Sequence, residues 1–150
     1  MMEAVALSRE AVTSGEGGPF GCVVVKNDRI IARGHNKVLL LNDPTAHAEI
    51  VAIRQACEHL GSFQLDQCEI YTSCEPCPMC LGAIYWARPR IVYYANTRAD
   101  AAAIGFDDSM IYDELSATLT DRKIPLCNIE LPEAGLVFKN WVRDPGKMRY

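Results

Sequence analysis

Two short motifs, each at a predicted helix start, constrain the fold of this chain more than any other feature. The first contains His47 and Glu49, and the second contains Cys77 and Cys80 directly after Pro76. Thiolate and imidazole are the protein ligands that zinc prefers, and the dipole and free N–H groups of a helix N-terminus favour thiolate over thiol. The two helix starts are therefore predicted to supply one metal site together.

The number of ligands decides what such a site can do. His47, Cys77 and Cys80 would supply three ligands and leave a fourth position open for water, which allows catalysis. Cys74 could instead close a structural four-ligand site, and spacing alone leaves that interpretation open. An iron–sulfur cluster is disfavoured, because residues 82–84 follow where the usual bacterial run reaches a fourth cysteine and then proline.

Glu49 has a different predicted role from the ligands. It lies two residues after His47, roughly 200° around a helix, so the two side chains cannot bind metal as an i, i+4 pair does. Zinc lowers the pKa of bound water to about 7, and a nearby carboxylate can accept that proton and deliver it again. Hydrolytic deamination requires those two steps.

Short strands and helices alternate along the 150 residues, which predicts one α/β domain over 1–150. The expected architecture is a central, partly parallel sheet covered on both faces. We predict a hairpin of 20–26 and 30–35, further strands at 69–72, 91–95 and 124–130, and helices ending near 14 and at 46–60, 78–87, 98–104, 109–115 and 133–142.

Net charge and cysteine content indicate which classes of partner and which cellular compartment to expect. The net charge of −4 gives no overall positive field, so no nucleic-acid partner is expected. Seven cysteines, three of them in one short stretch, do not resemble a disulfide framework and favour a reduced cytoplasm. We expect no membrane association, because no apolar run approaches spanning length and no signal sequence precedes the first helix. Cys22, Cys57, Cys68 and Cys127 are predicted to be buried small hydrophobic residues.

At His47, Glu49, Cys77 and Cys80 the chain resembles the cytidine deaminase-like zinc deaminases, which combine H-x-E with P-C-x-x-C. The resemblance implies one zinc ion per chain, held by the histidine and these two cysteines. It leaves Cys74 outside the ligand set and makes Glu49 the general acid and base.

Further segments extend the likeness to bacterial guanine deaminases over nearly the whole chain. They are 17–21, 42–49, 71–89, 105–108 and the terminal Tyr150. This resemblance implies a three-layer α/β/α sandwich with a mixed five-stranded sheet, and hydrolysis of guanine, a small purine base, to xanthine and ammonia. It also implies a homodimer that exchanges its C-terminal segment, about 120–150, and so places Tyr150 over the partner's pocket.

The same likeness names pocket residues. Asp108 joins Glu49 as a catalytic residue, and the substrate-binding set is Phe20, Asn36, Ala48, Trp86, Asp108 and Tyr150. From the residues alone, Phe20 and Trp86 suit the core equally, and Asp108 could cap the helix that follows it. An ionised Asp108 only accepts hydrogen bonds, so it suits the N1–H and 2-amino donors of guanine and opposes the unprotonated N1 of adenine.

Other functions stay open on sequence grounds. The substrate could be guanosine, free cytosine or adenosine in transfer RNA, although the acidic balance disfavours RNA. A non-catalytic protein with a structural zinc ion is the alternative from another class. Two features depart from the guanine deaminase pattern, since the first helix is short at Met1 and Cys22 occupies the place of a smaller residue.

Overall fold

The computed structural model describes residues 1–149, which form two compact units, 1–111 and 112 onwards. The first unit contains the sheet and most of the helices. The elements in chain order are α1 Met2–Thr13, β1 Gly21–Lys26, β2 Arg29–His35, α2 Val38–Leu41, α3 Ala48–Leu60, β3 Glu69–Cys74, α4 Pro78–Ala87, β4 Ile91–Asn96, α5 Arg98–Ala103, α6 Ser109–Ser116 and α7 Pro132–Arg143.

The sheet has the strand order β2-β1-β3-β4. β1 pairs antiparallel with β2 and with β3, and β3 pairs parallel with β4, so the predicted mixed sheet is confirmed. The predicted count of five strands is wrong for residues 1–149, because 124–130 forms no strand there. A strand needs backbone partners on a neighbouring strand, and the second unit offers none among its described residues.

Helices cover both faces of this sheet, as the sandwich architecture predicts. A β carbon on Gly21 of β1 would lie 2.2 Å from a backbone oxygen of α1. A β carbon on Gly34 of β2 would lie 2.3 Å from the Ala48 carbonyl oxygen of α3. Gly34 pairs with Cys22, the residue that follows Gly21, and successive residues of a strand point to opposite faces. The two glycines therefore lie on opposite faces of the sheet, and each helix packs directly on the sheet backbone at its glycine.

The core lies between the sheet and the α3–α4 layer. Cys22 is fully buried there and pairs in register with Gly34, so this departure from the family pattern packs as a core side chain. Cys68 is also buried, as predicted, whereas the prediction of a buried Cys127 is wrong because that residue is exposed. The buried cluster consists of Cys22, Val24, Ala32, Ala48, Ala52, Ile53, Ala56, Leu65, Cys68, Ile70, Ile84 and Ala87.

The two helices that begin at the motifs start in the same way. His47 is the N-cap of α3 with extended backbone angles, φ −70° and ψ 157°, so the helix starts at Ala48 and not at residue 46 as predicted. Cys77 is the N-cap of α4 with φ −65° and ψ 167°, and Pro78 takes the first helical position. Proline suits that position because its missing N–H would have no partner inside the helix.

The short helix α2 was not predicted, because four residues are too few to show helical periodicity. Within residues 1–149 no helix combines the length and apolar character that crossing a membrane requires.

Candidate active site

Three side chains predicted to bind metal converge where α3 and α4 begin. The Nδ1 atom of His47 lies 3.5 Å from the Sγ of Cys77 and 3.6 Å from the Sγ of Cys80. All three candidate ligand atoms lie within 4.8 Å of one another. The two N-cap positions bring this about, since an N-cap side chain projects beyond the end of its helix.

This donor set fits a zinc ion. One imidazole nitrogen and two cysteine sulfurs are ligands that zinc favours, and ordinary Zn–N and Zn–S bonds at tetrahedral angles separate nitrogen from sulfur by about 3.6 Å. The observed separations of 3.5 and 3.6 Å match that spacing. Three protein ligands leave one tetrahedral position for water.

Cys74 lies outside this group. Its Sγ donates to the carbonyl oxygen of Thr97, at 3.5 Å, and the thiol is almost fully buried. Burial raises the pKa of Cys74 to about 11, and its sulfur is not among the three ligand atoms that lie within 4.8 Å of one another. The geometry disfavours the closed four-ligand interpretation.

The two cysteines of the group hold their protons differently. The neighbouring Cys80 side chain, followed by His47 and the backbone N–H of Cys80, lowers the pKa of Cys77 to about 4. The hydrogen bond to Cys77, together with burial, raises the pKa of Cys80. His47 has a raised pKa because it hydrogen-bonds to Cys77. Cys77 is thus a ready thiolate at the start of α4.

Glu49 lies beside the ligands in the first turn of α3. Its carboxylate accepts from the hydroxyl of Thr72 at 3.3 Å and lies 3.4 Å from the Cys80 sulfur. The residue is 6% exposed, and this burial raises the pKa of its carboxyl group. A raised pKa makes this carboxylate a stronger base than an ordinary glutamate, which suits it to take a proton from water and pass it on.

A cavity of about 590 Å³ opens onto this cluster from the first unit. His47, Cys77 and Glu49 form part of its wall, so two of the three candidate metal ligands and the carboxylate face the space, while Cys80 is buried behind them. The other lining residues are Gly18, Phe20, Asn36, Val38, Leu39, Pro44, Cys74, Glu75, Met79, Arg98, Ala101, Gly105, Phe106, Asp107, Asp108 and Ile111.

Asn36 is fixed in one orientation at the cavity wall. Its Oδ1 accepts from the N–H of Gly18 at 3.3 Å and from the N–H of Val38 at 3.2 Å. The residue is 4% exposed, and a β carbon on Gly17 would lie 2.1 Å from Oδ1, so only glycine fits there. With the oxygen engaged, the amide NH₂ is the group that Asn36 can offer to a ligand.

Two neighbouring carboxylates beyond α5 have separate roles. Asp107 accepts from the N–H of Ser109 at 2.9 Å at the start of α6. The sequence had left that capping role open for Asp108. Asp108 lines the cavity, and burial followed by the nearby charge of Cys77 raises its pKa. Asp108 therefore shares the cavity wall with Cys77 of the metal group.

An aromatic corner completes the wall. The rings of Phe20 and Phe106 meet edge to face, with centroids 5.0 Å apart and planes at 89°. A β carbon on Gly18 would lie 2.8 Å from the Phe106 ring, so the ring rests on the glycine backbone. A flat heteroaromatic ligand finds both an aromatic face and an aromatic edge at this corner.

Three residues of the predicted pocket set are not among the described residues that line this cavity. The side chain of Ala48 is fully buried against β2 and does not line the space. Trp86 is 63% exposed on α4 and lies outside the lining. Tyr150 falls outside the described residues. The direction of each side chain on its helix explains both results. Ala48 lies on the face of α3 that packs on the sheet, and Trp86 lies on the exposed face of α4.

The model of the cytidine and deoxycytidylate deaminase zinc-binding region matches residues 1–96. That range contains the three candidate ligands and Glu49. The chain belongs to this deaminase family. The family is described by its zinc-binding region, and the group of His47, Cys77 and Cys80 within the matched range could hold one metal ion.

Relatives extend the similarity beyond the matched region. The deaminase is 54% identical to guanine deaminase of Bacillus subtilis over all of its length and 96% of the relative. The solved structure of guanine deaminase from that organism superposes with a TM-score of 0.96, covering 99% of this chain and 95% of the other.

More distant relatives share the core of the deaminase. Guanine deaminase from Nitrosomonas europaea has a TM-score of 0.66 and 37% identity, with 70% of this chain and 61% of the other covered. A tRNA-specific adenosine deaminase of Agrobacterium fabrum is 49% identical over 63% of this chain and 64% of its own.

Several lining residues of the deaminase were missed by the sequence reasoning. Glu75, Arg98 and Phe106 line the cavity, and Thr72 donates to Glu49 behind it. None of the four belongs to the H-x-E or P-C-x-x-C motif, so the motifs gave no reason to select them. Thr72 had one available signal, because a buried hydroxyl on a strand needs a hydrogen-bond partner, and Ser73 beside it shares that signal. The others depend on contacts between distant segments.

Proposed function

We propose that this deaminase hydrolyses guanine to xanthine and ammonia. The observation that carries the proposal is the pairing of an amide donor, Asn36, with an acceptor, Asp108, on a cavity that also holds the zinc ligands and Glu49. The relatives named guanine deaminase from Bacillus subtilis and Nitrosomonas europaea support the same substrate.

Guanine matches the polar groups of this cavity. Its N1–H and 2-amino groups donate, which suits the acceptor-only carboxylate of Asp108. Its O6 and N7 accept, which suits the NH₂ group of Asn36, whose oxygen is already engaged by two backbone donors. Adenine would put an unprotonated N1 against the carboxylate, and that mismatch would disfavour it.

In this proposal the reaction needs one activated water and one proton carrier. His47, Cys77 and Cys80 would hold a zinc ion, which would supply a water molecule with its pKa lowered to about 7. Glu49 accepts one proton of that water as its oxygen adds to C2 of guanine, and it delivers this proton to ring N3. Glu49 then takes the second proton from the added hydroxyl group and delivers it to the 2-amino nitrogen. The C2–N bond breaks as the C2 carbonyl forms, so the products are xanthine and ammonia.

Ammonia release from zinc-loaded protein tests this function. Guanine, guanosine, adenine, cytosine and cytidine are offered side by side, and the expected result is turnover of guanine well above that of the others. Selective release from cytosine or adenine would overturn the substrate assignment. No release on any substrate, with one tightly bound zinc ion per chain, would favour the non-catalytic alternative.

Changing Asn36 to aspartate tests how the amide group is used. The variant keeps an oxygen for the two backbone donors but replaces the NH₂ group with a second acceptor that opposes a guanine acceptor. We expect the KM for guanine to rise at least about tenfold, since a lost hydrogen bond and an unpaired buried acceptor both disfavour binding. Steady-state kinetics beside a thermal unfolding curve check this, and an unchanged KM in a folded variant would contradict it.

We also propose that the deaminase acts as a homodimer of single-domain chains that exchange C-terminal segments from about 120 onwards. Support in the first unit is the open edge of β4 and the exposed aromatic residues nearby, including Tyr85 at 75%, Trp86 at 63% and Tyr94 at 50%. Monomeric proteins seldom leave large apolar patches in contact with water.

The second unit supports the same assembly independently. Helix α7 buries none of its residues, and Val137 and Phe138 are 64% and 77% exposed. The segment 124–130 has a strand-like sequence without strand partners, and an open strand edge on a second chain would provide them. Light scattering is expected to give about twice the chain mass of 16.6 kDa, and a monomer at working concentration would overturn the proposal.

The proposed partner is a small purine base, with no nucleic acid, and the proposed location is the cytoplasm. The net charge of −4 supports the absence of a nucleic-acid partner, because binding to phosphates depends on positive charge. All seven cysteines are free, which supports a reducing compartment. Tyr150 is proposed to close the pocket of the partner chain, and its role stays a prediction.

A further inference from the structure

Three hydrogen bonds join the loop that carries Cys77 to the start of α5. The Cys74 thiol donates to the Thr97 carbonyl oxygen at 3.5 Å, and the N–H of Glu75 donates to the Asn96 carbonyl oxygen at 2.8 Å. The Glu75 carboxylate accepts from the N–H of Arg98 at 3.0 Å. The last of these bonds depends on a side chain that the proposed chemistry does not use.

The N–H that Glu75 accepts is a helix-end donor. Thr97 is the N-cap of α5, and it forms a capping box with Asp100 in which each side chain accepts from the other residue's backbone N–H. Arg98 is the first residue of the helix, so its N–H has no partner inside α5. Glu75 satisfies that donor from outside the helix.

Helix α5 in turn holds the aromatic corner of the cavity. The N–H of Phe106 donates to the Ala101 carbonyl oxygen at 3.0 Å, just after the helix ends. The Phe106 ring meets Phe20 and rests on Gly18. A displacement of α5 is therefore transmitted to the wall against which a flat ligand would lie.

The charge on Arg98 adds a second link to the same wall. Its guanidinium is close enough to Asp107 and Asp108 to favour the ionised form of both carboxylates. Arg98 also lines the cavity, so the residue whose backbone Glu75 holds contributes its side chain to the same wall.

We propose that Glu75 is a positioning residue that holds α5 and the Phe106 wall in place and so sets the affinity of the pocket for its purine. The inference rests on the proposed guanine deamination for its substrate. Glu75 acts through the backbone of Arg98, so an uncharged acceptor of the same length is sufficient for this role.

Three variants of Glu75 separate this role from direct contact with substrate, which is conceivable because Glu75 also lines the cavity. Glu75→Ala removes the acceptor, Glu75→Asp shortens it by one methylene, and Glu75→Gln keeps an acceptor oxygen without the charge. Glu10→Ala, at an exposed glutamate of α1, is the matched control. Kinetics on guanine and zinc content are measured for each zinc-loaded variant.

The expected result is a split between KM and kcat. Glu75→Ala is expected to raise the KM for guanine about tenfold with kcat within about twofold of the original, because one hydrogen bond to a helix end is lost. Glu75→Asp raises KM less, while Glu75→Gln and Glu10→Ala leave it unchanged, and zinc content stays the same throughout. An unchanged KM in Glu75→Ala, or a Glu75→Gln as weak as Glu75→Ala, would overturn the proposal.

Hydrogen exchange tests the same link without any substrate. The amide of Arg98 and those of the α5 turn are expected to exchange faster in Glu75→Ala than in Glu75→Gln, because only the alanine variant leaves the helix end without its outside acceptor. Equal protection in the two variants would overturn the positioning role. If the unmodified protein fails to deaminate guanine, the proposed function falls while the exchange result still decides the role of Glu75. Should Glu75→Ala not fold, the aspartate and glutamine variants carry both measurements.

Discussion

Replacing Glu49 with glutamine is expected to lower kcat on guanine by about 10³-fold or more while one zinc ion per chain stays bound. Glutamine is nearly isosteric and can still accept from Thr72, so the buried site keeps its packing. It cannot accept and redeliver a proton, and loss of a positioned proton carrier costs typically about 10²–10⁴-fold in rate. Steady-state ammonia release and metal analysis of the same preparation check the prediction.

The matched control is Glu58→Gln, at an exposed glutamate on the same helix α3. It makes the same chemical change away from the cavity and is expected to leave both rate and zinc content unchanged. A Glu49→Gln variant with a near-normal rate would remove Glu49 from the chemistry. A variant that loses zinc together with activity would show that the carboxylate holds the metal group together instead.

Cys77→Ala is the second variant with a large expected effect. Removing one of three zinc ligands is expected to reduce bound zinc from one per chain to nearly none, with turnover falling to that of zinc-free protein. Cys77 is the cysteine that the site holds as a thiolate, with a pKa lowered to about 4 by bonds from Cys80 and His47. Mass spectrometry under non-denaturing conditions measures the metal directly.

Cys74→Ala provides the control within the same loop. The Cys74 sulfur donates to the Thr97 carbonyl oxygen and lies outside the candidate ligand group, so zinc content is expected to stay at one per chain. Equal loss of zinc from both variants would instead establish a closed site with four protein ligands. Such a site has no open position for water, and the proposed catalysis would fall with it.

Much of the metal centre could be predicted from the sequence because it depends on residue type and short spacing. Histidine and cysteine at two helix starts select zinc chemistry, and the offset of two residues between His47 and Glu49 separates ligand from proton carrier. The geometry brings these same three ligands together and places the carboxylate beside them.

The pocket walls could not be obtained in this way. Asn36 becomes a donor to ligand only because two backbone N–H groups from separate segments occupy its oxygen. Phe106 becomes a wall only because Gly18, distant in sequence, leaves room for its ring. The role of Glu75 depends on a bond across two loops. None of these contacts leaves a periodic or compositional trace.

The sequence by itself predicted most of the order of helices and strands, the candidate zinc ligands and the candidate proton carrier, because local periodicity, helix-start chemistry and ligand type act over a few residues. The tertiary structure alone decided which side chains face the cavity. It placed both Asp107 and Asp108 in the cavity wall, gave Asp107 the hydrogen bond at the start of α6, and left Trp86 exposed. It also left 124–130 without strand partners. Burial, side-chain direction and strand pairing are set by contacts between segments far apart in the chain, and a linear pattern does not encode them.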